Sequence, residues 1–364
     1  MLQNAVLVLD DDGVFVEIAQ SKLDEYDEYV DGMLFSGFVN AHCHLELSHL
    51  QSKLDEQTGL VDFILNIQSI RHLHREQMQS IMHQQDQLML EQGIVAVGDI
   101  SNNSDSFSVK ANSEIYYHTF IEQIGFVPGR EDKIVEQGIE LRTVAKDMGL
   151  SASVSPHAPY SVSKNLFRAI ALLNEPVYTM HHLESAQEIL FFEQKIGDFV
   201  RLYNSFEIDI SFLECTAGNT TPYWLDEFRV KKLILVHNTF MKLSIDMIKY
   251  IIPDVHLCFC PNANLYIENT LPPILELMDE TESICIGTDS LASNHQLSIL
   301  EELKTIHRHF PSIPIATLMT WATLNGAKAL GIDDRYGKFI KGKTKKVFAL
   351  MNVEDFLKAE VVRF

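Results

Sequence analysis

The feature that most constrains this chain is a unit that recurs eight times: a short apolar or β-branched run, a polar tip, then a longer stretch whose apolar residues follow helical spacing. The runs are "GFVNAHCH" ending near residue 44, "GIVAVGDIS" near 101, "IYYHTFIE" near 122, "SASVSPH" near 157, "PVYTMHH" near 182, "KLILVHN" near 238, "VHLCFCPN" near 262 and "ESICIGTDS" near 290. Strands alternating with helices pair in parallel through right-handed crossovers, so eight such units predict an α/β chain closed into a (β/α)8 barrel. The active site of such a barrel lies at the C-terminal ends of its strands, where the following loops converge. Those ends carry His42, His44, His157, His181, His237 and Asp289, which the fold would bring from across the chain to one mouth.

A length of 364 residues accommodates a barrel and a small appendage. Residues 1–36 read as short strands around the acidic turn in "LDDDGVFVEI", and "GKFIKGKTKKVFALMNVEDF" reads similarly near the other end. The two ends are therefore expected to pair into one small discontinuous β domain, 1–36 with 337–364, beside a barrel of residues 37–336.

With 46% hydrophobic and 22% charged residues and no biased tract, the composition is that of a folded globular chain. The formal charge of −21 argues against a nucleic-acid polymer as partner, because phosphate backbones are bound by clustered Lys and Arg. A small neutral or cationic substrate fits better. The start "MLQNAVLVLDDD" has no basic segment before its short apolar run and does not read as a signal peptide. No apolar stretch approaches the roughly 20 residues of a membrane span. Five cysteines without a C-x-x-C pair read as reduced thiols, which predicts a cytoplasmic location. Cys258 and Cys260 in "HLCFCP" alternate as residues on one buried strand face do; a soft-metal pair is the other reading. His72, His74 and His83 fall in a long polar helical pattern and are expected on solvated faces. Phosphate-binding glycine loops and the nucleophile elbow G-x-S-x-G are absent.

The richest stretch is "FVNAHCHLELSHL", with His42, His44, Glu46 and His49 within eight positions. On a strand, residues i and i+2 share a face, so His42 and His44 can grip one ion while Cys43 faces away. A catalytic zinc-like site needs three or four N/O ligands and an open position, so later strand ends must supply the rest. "YTMHHLESAQE" offers His181 or His182. A turn of three residues would let Glu184 fold back over the site, which favours His181 as ligand. Asp289 in "CIGTDSLASN" can bind through one oxygen and take a proton from water with the other. His237 in "ILVHN" would neighbour both.

With these stretches in view, the chain resembles the amidohydrolase superfamily, in its mononuclear-metal branch of heterocycle deaminases and chlorohydrolases. The matching segments are "SGFVNAHCHLELS", "SPHAPYSVS", "MHHLESAQE", "LVHNTF", "CPNANLYIENTLPPI", "IGTDSLASN" and "TWATLNGAKALGI", in order from about residue 36 to 332. The resemblance implies a distorted TIM barrel with a small β-sandwich domain built from both chain ends. It implies metal ligands His42, His44, His181 and Asp289, Glu184 as proton shuttle, His237 as the group polarising water or substrate, and His157 as a substrate contact. Glu46, in the narrower "HLELS" form, resembles a branch of aminofutalosine (adenine nucleoside) deaminases and is read as a substrate contact, with loop ordering as the other reading. For His49, loop packing is expected. Binuclear relatives bridge two ions with a strand lysine, and no strand end here offers one, so one divalent ion is expected, zinc before iron(II).

The implied function is hydrolytic deamination: water adds to a ring carbon bearing an exocyclic amine, adenine-type first, and ammonia leaves. Hydrolysis of a ring C–Cl or cyclic amide bond is the alternative, and a non-catalytic metal-binding barrel a distant third. Relatives often dimerise. Lys345 and Lys346 replace the Ala-Asp usual in relatives, and the segment around Pro222 and Asp226 carries no substrate signature.

Overall fold

The computed structural model of the chain describes residues 5–19, 27–70, 75–216, 221–242 and 244–364. Its strands are β1 (Val6–Leu9), β2 (Phe15–Ala19), β3 (Gly32–Phe35), β4 (Phe38–Cys43), β5 (Ile94–Ser101), β6 (Tyr116–Gln123), β7 (Ser151–Pro156), β8 (Tyr178–His182), β9 (Lys232–His237), β10 (Asp254–Phe259), β11 (Ile284–Ile286), β12 (Phe348–Met351) and β13 (Glu360–Arg363). All eight runs of the repeating unit are strands, β4 to β11. They form two parallel four-stranded sheets, β4-β5-β6-β7 and β8-β9-β10-β11, each in chain order. Every residue of β4, β5 and β8 is buried, as in parallel strands covered on both faces.

Helices fill the connections, among them Glu131–Asp147 between β6 and β7 and Lys164–Ala171 between β7 and β8. Serines 163, 185, 244 and 298 start four of the helices, each accepting a backbone N–H with its side chain, a cap worth about 1 kcal/mol. Within the helical pattern that held the three polar histidines, Leu60–Ile70 and Arg75–Glu91 are helical among the described residues. His83 lies exposed on the second helix; His72 and His74 lie outside the described residues.

Two sets of bonds join the sheets. At one junction His181 N donates to His157 O at 2.8 Å; at the other, Thr288 N and Asp289 N donate to His42 O at 3.0 and 3.1 Å. The second junction depends on Gly287, where a Cβ would lie 2.8 Å from His42 Cβ and 2.9 Å from its carbonyl oxygen. Under it lies an apolar cluster that includes Val39, Ala41, Phe120 and Val236 together with Cys258, Cys260 and Cys285. These three thiols are buried and form no disulfide, and burial raises the pKa of Cys258 on β10 and of Cys260 just past it.

Both chain ends meet in strand pairing. β12 pairs antiparallel with β3 and β13, while β1 and β2 form a hairpin. Its turn is set by Asp10, whose Oδ1 accepts from Asp12 N and Val14 N, and by Gly13 at φ 73°. Phe15 N to Thr344 O at 2.8 Å ties the hairpin to the C-terminal segment. Lys346 donates to the carbonyl of Glu114 at 2.9 Å and pairs with its carboxylate, which gives that lysine a local role. Among the described residues, no helix is long and apolar enough to cross a membrane.

Candidate active site

His42 sits on β4 and His44 just after it, both side chains turned to the same face as the i, i+2 spacing requires. The turn that follows is held from behind by Asp99 of β5, whose Oδ1 accepts from Leu45 N at 2.8 Å. Asp99 is itself neutralised by a completely buried ion pair with Lys110, on the helix Phe107–Ala111. Lys110 is thus committed to Asp99 and Ser101 rather than to the mouth of the sheets.

The Nε2 atom of His44 lies 3.1 Å from that of His42 and 3.3 Å from that of His181 at the end of β8. Asp289 Oδ1 is 3.6 Å from His42 Nε2 and 3.4 Å from His44 Nε2. One ligand atom from each of the four lies within 4.8 Å of every other, and all four residues are buried. Burial, reinforced by the neighbouring rings, holds His42, and more moderately His181, below the ordinary imidazole pKa; burial does the same to His44 against the opposing pull of Asp289. Neutral imidazole is the form that ligates metal. Burial pushes the Asp289 carboxyl up, but His44, His237 and the Ser293 hydroxyl together bring it below the usual carboxylate range. Three imidazoles held toward the neutral form and one ionised carboxylate, converging on one point, are what a divalent cation requires, so the residues fit a metal ion.

Two of these groups depend on partners with no sequence signature. Asp289 Oδ2 accepts from Ser293 Oγ at 2.6 Å, and its loop is tied to β4 through Asn40, which bonds Thr288 with both amide atoms. His181 Nδ1 meets the carbonyl of His157 at 2.9 Å, which fixes its ring. His182 points to the other side, between Asn238 and Thr221, as the choice of His181 requires.

Glu184 follows β8 by two residues, beyond Leu183 at φ 48°. A capping box at Ser185 sets its position: Glu188 Oε1 accepts from Glu184 N at 2.7 Å and from Ser185 N at 3.2 Å. The Glu184 carboxyl is buried, and its pKa is raised well above the ordinary value by burial and then by Asp289. Its Oε1 lies 3.6 Å from His237 Nε2. His237 ends β9 at φ 73°, and Asn264 reaches its Nδ1 at 3.2 Å. With that amide as donor the ring proton sits on Nε2, a buried atom without a hydrogen-bond partner.

A cavity of about 920 Å³ opens over these residues and is lined by His44, His157, His181, Glu184, His237 and Asp289. His157 follows β7, held by Ser161 Oγ at 2.6 Å, and burial lowers its pKa to about 4. An apolar arm continues outward past Phe63, Ile64, Phe126, Leu202 and Phe206. Glu46 does not line the cavity. It lies in the 3-10 turn Leu45–Leu50, which carries it sideways to accept the N–H of Asn102 at 2.9 Å. His49, on the same turn, is buried with Nδ1 at 3.1 Å from the Glu46 carbonyl. Glu122, at the end of β6, was not singled out from the sequence, although the rule that nominated the other strand-end residues applies to it equally. It lines the cavity and, with His157 and His181, forms a second group of potential ligands.

A cluster of three histidines and an aspartate at the ends of parallel strands, with a buried carboxyl and a histidine facing it, is an arrangement suited to metal-dependent hydrolysis in an α/β fold. The chain belongs to the amidohydrolase family, which residues 33–349 match. An adenosine deaminase of Helicobacter pylori is 27% identical over 316 residues, 84% of this chain and 76% of the relative. Among solved structures, the aminofutalosine deaminase of Helicobacter pylori in complex with methylthio-coformycin superposes with a TM-score of 0.84 at 24% identity, covering 98% of this chain and 93% of the other. An adenosine deaminase of Xanthomonas campestris with bound zinc gives 0.76 at 21% identity, covering 99% and 85%.

Proposed function

We propose that this protein is a metal-dependent hydrolase of C–N bonds that replaces the exocyclic amine of an adenine-type nucleoside with a carbonyl, releasing ammonia. The observation that carries the reading is Glu184: a buried carboxyl with a raised pKa, opening on the same cavity as the His/Asp cluster and facing His237 Nε2. A protonated carboxyl beside the reacting carbon suits protonation of a ring nitrogen, which deamination needs. The relatives named as adenosine and aminofutalosine deaminases support the same choice.

His42, His44, His181 and Asp289 would hold one divalent ion, zinc first; the zinc-bearing neighbour supports the metal, and the commitment of Lys110 to Asp99 supports a single ion. When bound, that ion lowers the pKa of water toward neutrality. Asp289, oriented by Ser293, takes up the proton that water loses, at Oδ2. His237 directs its Nε2–H at the face where oxygen adds. Glu184 donates its proton to the ring nitrogen and takes up the proton that the added hydroxyl loses as the carbonyl forms, while the proton held by Asp289 goes to the amine as it leaves as ammonia. His157 lines the side of the base. For Glu46, the Asn102 bond supports loop ordering over direct contact with substrate.

The two sheets are read as halves of one (β/α)8 barrel, supported by the backbone bonds at both junctions and the isolated parallel bridge Cys43–Asp289. Residues 1–36 and 337–364 form its small β-sandwich domain, supported by the pairing of β3 with β12. Free cysteines support a cytoplasmic enzyme, and a homodimer is proposed as its assembly.

Metal analysis combined with an ammonia-release screen over adenosine, 5′-substituted adenosines, guanine, cytosine and a chlorotriazine tests the reading. One equivalent of metal and turnover of adenine nucleosides are expected. Full metal content with chloride release and no ammonia would instead establish the dechlorinating alternative.

A further inference from the structure

The mechanism leaves one buried, cavity-lining carboxylate without a task. Glu122 is the penultimate residue of β6, with its side chain almost wholly buried, and its two oxygens are held differently. Oε2 accepts from Asn102 Nδ2 at 2.8 Å, and Oε1 lies 3.7 Å from His181 Nδ1. Asn102 is in turn placed by Glu46, which accepts its backbone N–H. The chain Glu46, Asn102, Glu122 therefore sets a carboxylate in the wall of the cavity from three separate strand ends.

Its position relative to the reacting point follows from His181. That ring turns Nε2 to the His/Asp cluster and Nδ1 toward Glu122, so Glu122 stands one imidazole width away from the cluster. In an adenine nucleoside, the amine-bearing carbon and the glycosidic nitrogen are at opposite ends of the purine. With the amine end at the cluster, the sugar falls along the wall away from it. An ionised carboxylate is an acceptor only, with two oxygens, and two adjacent hydroxyls are the matching pair of donors. The cavity of about 920 Å³ is far larger than a base and has room for sugar and a 5′ extension along the apolar arm.

We infer that Glu122, positioned by Asn102, is the specificity residue that reads the vicinal 2′- and 3′-hydroxyls of the substrate's ribose. The inference rests on the nucleoside deaminase reading above. It makes the site selective for ribonucleosides over dideoxynucleosides, and hostile to nucleosides phosphorylated at the 2′ or 3′ oxygen, because two anions would meet in a partly dry wall.

The test compares kcat/KM for adenosine and 2′,3′-dideoxyadenosine in the metal-loaded wild type, Glu122→Gln and Glu122→Ala, with metal content measured on each. The wild type is expected to prefer adenosine by about a hundredfold or more. In Glu122→Ala the preference should shrink to a few-fold, mainly through KM for adenosine, with a much smaller loss on dideoxyadenosine. Calorimetric binding of inosine against 2′,3′-dideoxyinosine is measured alongside, and reads the same contact without turnover. An unchanged preference in both assays overturns the inference. So does an equal loss on both substrates, which would make Glu122 a prop for His181, or loss of a second metal equivalent, which would assign Glu122, His157 and His181 to an ion. Ribose-selective binding without ammonia release would instead sink the deaminase reading and leave this one standing.

Discussion

The two four-stranded sheets contribute to the mouth in different ways. The second, β8 to β11, ends in backbone that most residues avoid: Leu183, His237, Asn238 and Asp289 all have positive φ, between 48° and 73°. The first, β4 to β7, has no non-glycine residue of this kind at its strand ends among the described residues. Left-handed conformations at such residues cost of order 1 kcal/mol or more each and persist only where the surroundings enforce them. They turn Glu184, His237 and Asp289 inward at angles a regular strand end would not give. The first sheet supplies His42 and His44 from unstrained backbone, then builds walls from Asn102, Glu122 and His157. The second sheet thus brings Glu184, His237 and Asp289 to the mouth beside or within left-handed backbone, and the first brings His42, His44 and much of the cavity wall without any positive φ at its strand ends among the described residues.

The sharpest way to break this division is Asp289→Asn. The variant loses a ligand charge and the proton acceptor together, so metal content should fall and ammonia release drop by on the order of 10³-fold or more. Retained metal and rate would move the reactive carboxylate elsewhere. Glu184→Gln removes only the proton donor, so metal should stay and the rate fall by roughly 10² to 10⁴-fold. A Gln variant at full rate would take Glu184 out of the chemistry and leave the second sheet with no advantage over the first.

Much of this site is legible in the sequence because the information is local. Parallel strands buried on both faces read as apolar runs, their polar tips mark the mouth, and the i, i+2 pair of His42 and His44 announces a shared face. His181 is separated from His182 by its distance from Glu184. What is not legible is support from far along the chain. Asn40 bonds Thr288 across 248 residues, and Asn264 reaches His237 across 27, with no spacing that distinguishes either from an ordinary asparagine. Nor does sequence reveal that non-glycine residues such as His237 and Asp289 adopt positive φ. Glu46 shows the limit of proximity along the chain: nearness to His42 and His44 suggests a substrate contact, while the tight turn after β4 brings its carboxyl to the N–H of Asn102, the bond that loop ordering would use.

A stability measurement sharpens the same contrast. His118 on β6 is buried between the hydroxyls of Ser151 and Ser153, and burial lowers its pKa to about 3. The unfolded chain takes up this proton near pH 6.5 and the folded chain only near 3, so stability contributed by neutral His118 is complete above 6.5 and is lost as pH falls between the two. His118→Gln should therefore lose roughly 2–3 kcal/mol less than wild type between pH 7 and pH 4.5 in urea melts. Equal acid slopes would mean that His118 is protonated without cost and that β6 is looser than its packing implies.

The smallest effect is expected at Glu46, and it separates charge from position. Burial raises the Glu46 pKa to about 8 even though the Asn102 N–H pulls it down, so at pH 7 the group is mostly a neutral acid. Glutamine has the same length and keeps a carbonyl oxygen for Asn102. Glu46→Gln should then leave kcat and metal content unchanged and raise KM for adenosine no more than about threefold, the scale of a weakened neutral hydrogen bond. Glu46→Ala, which frees Asn102 and with it Glu122, should raise KM about tenfold and reduce the preference for ribose over dideoxyribose. If Gln is instead as damaging as Ala, the Glu46 carboxyl itself touches the substrate, and the wall of the first sheet extends one turn deeper than its hydrogen bonds indicate.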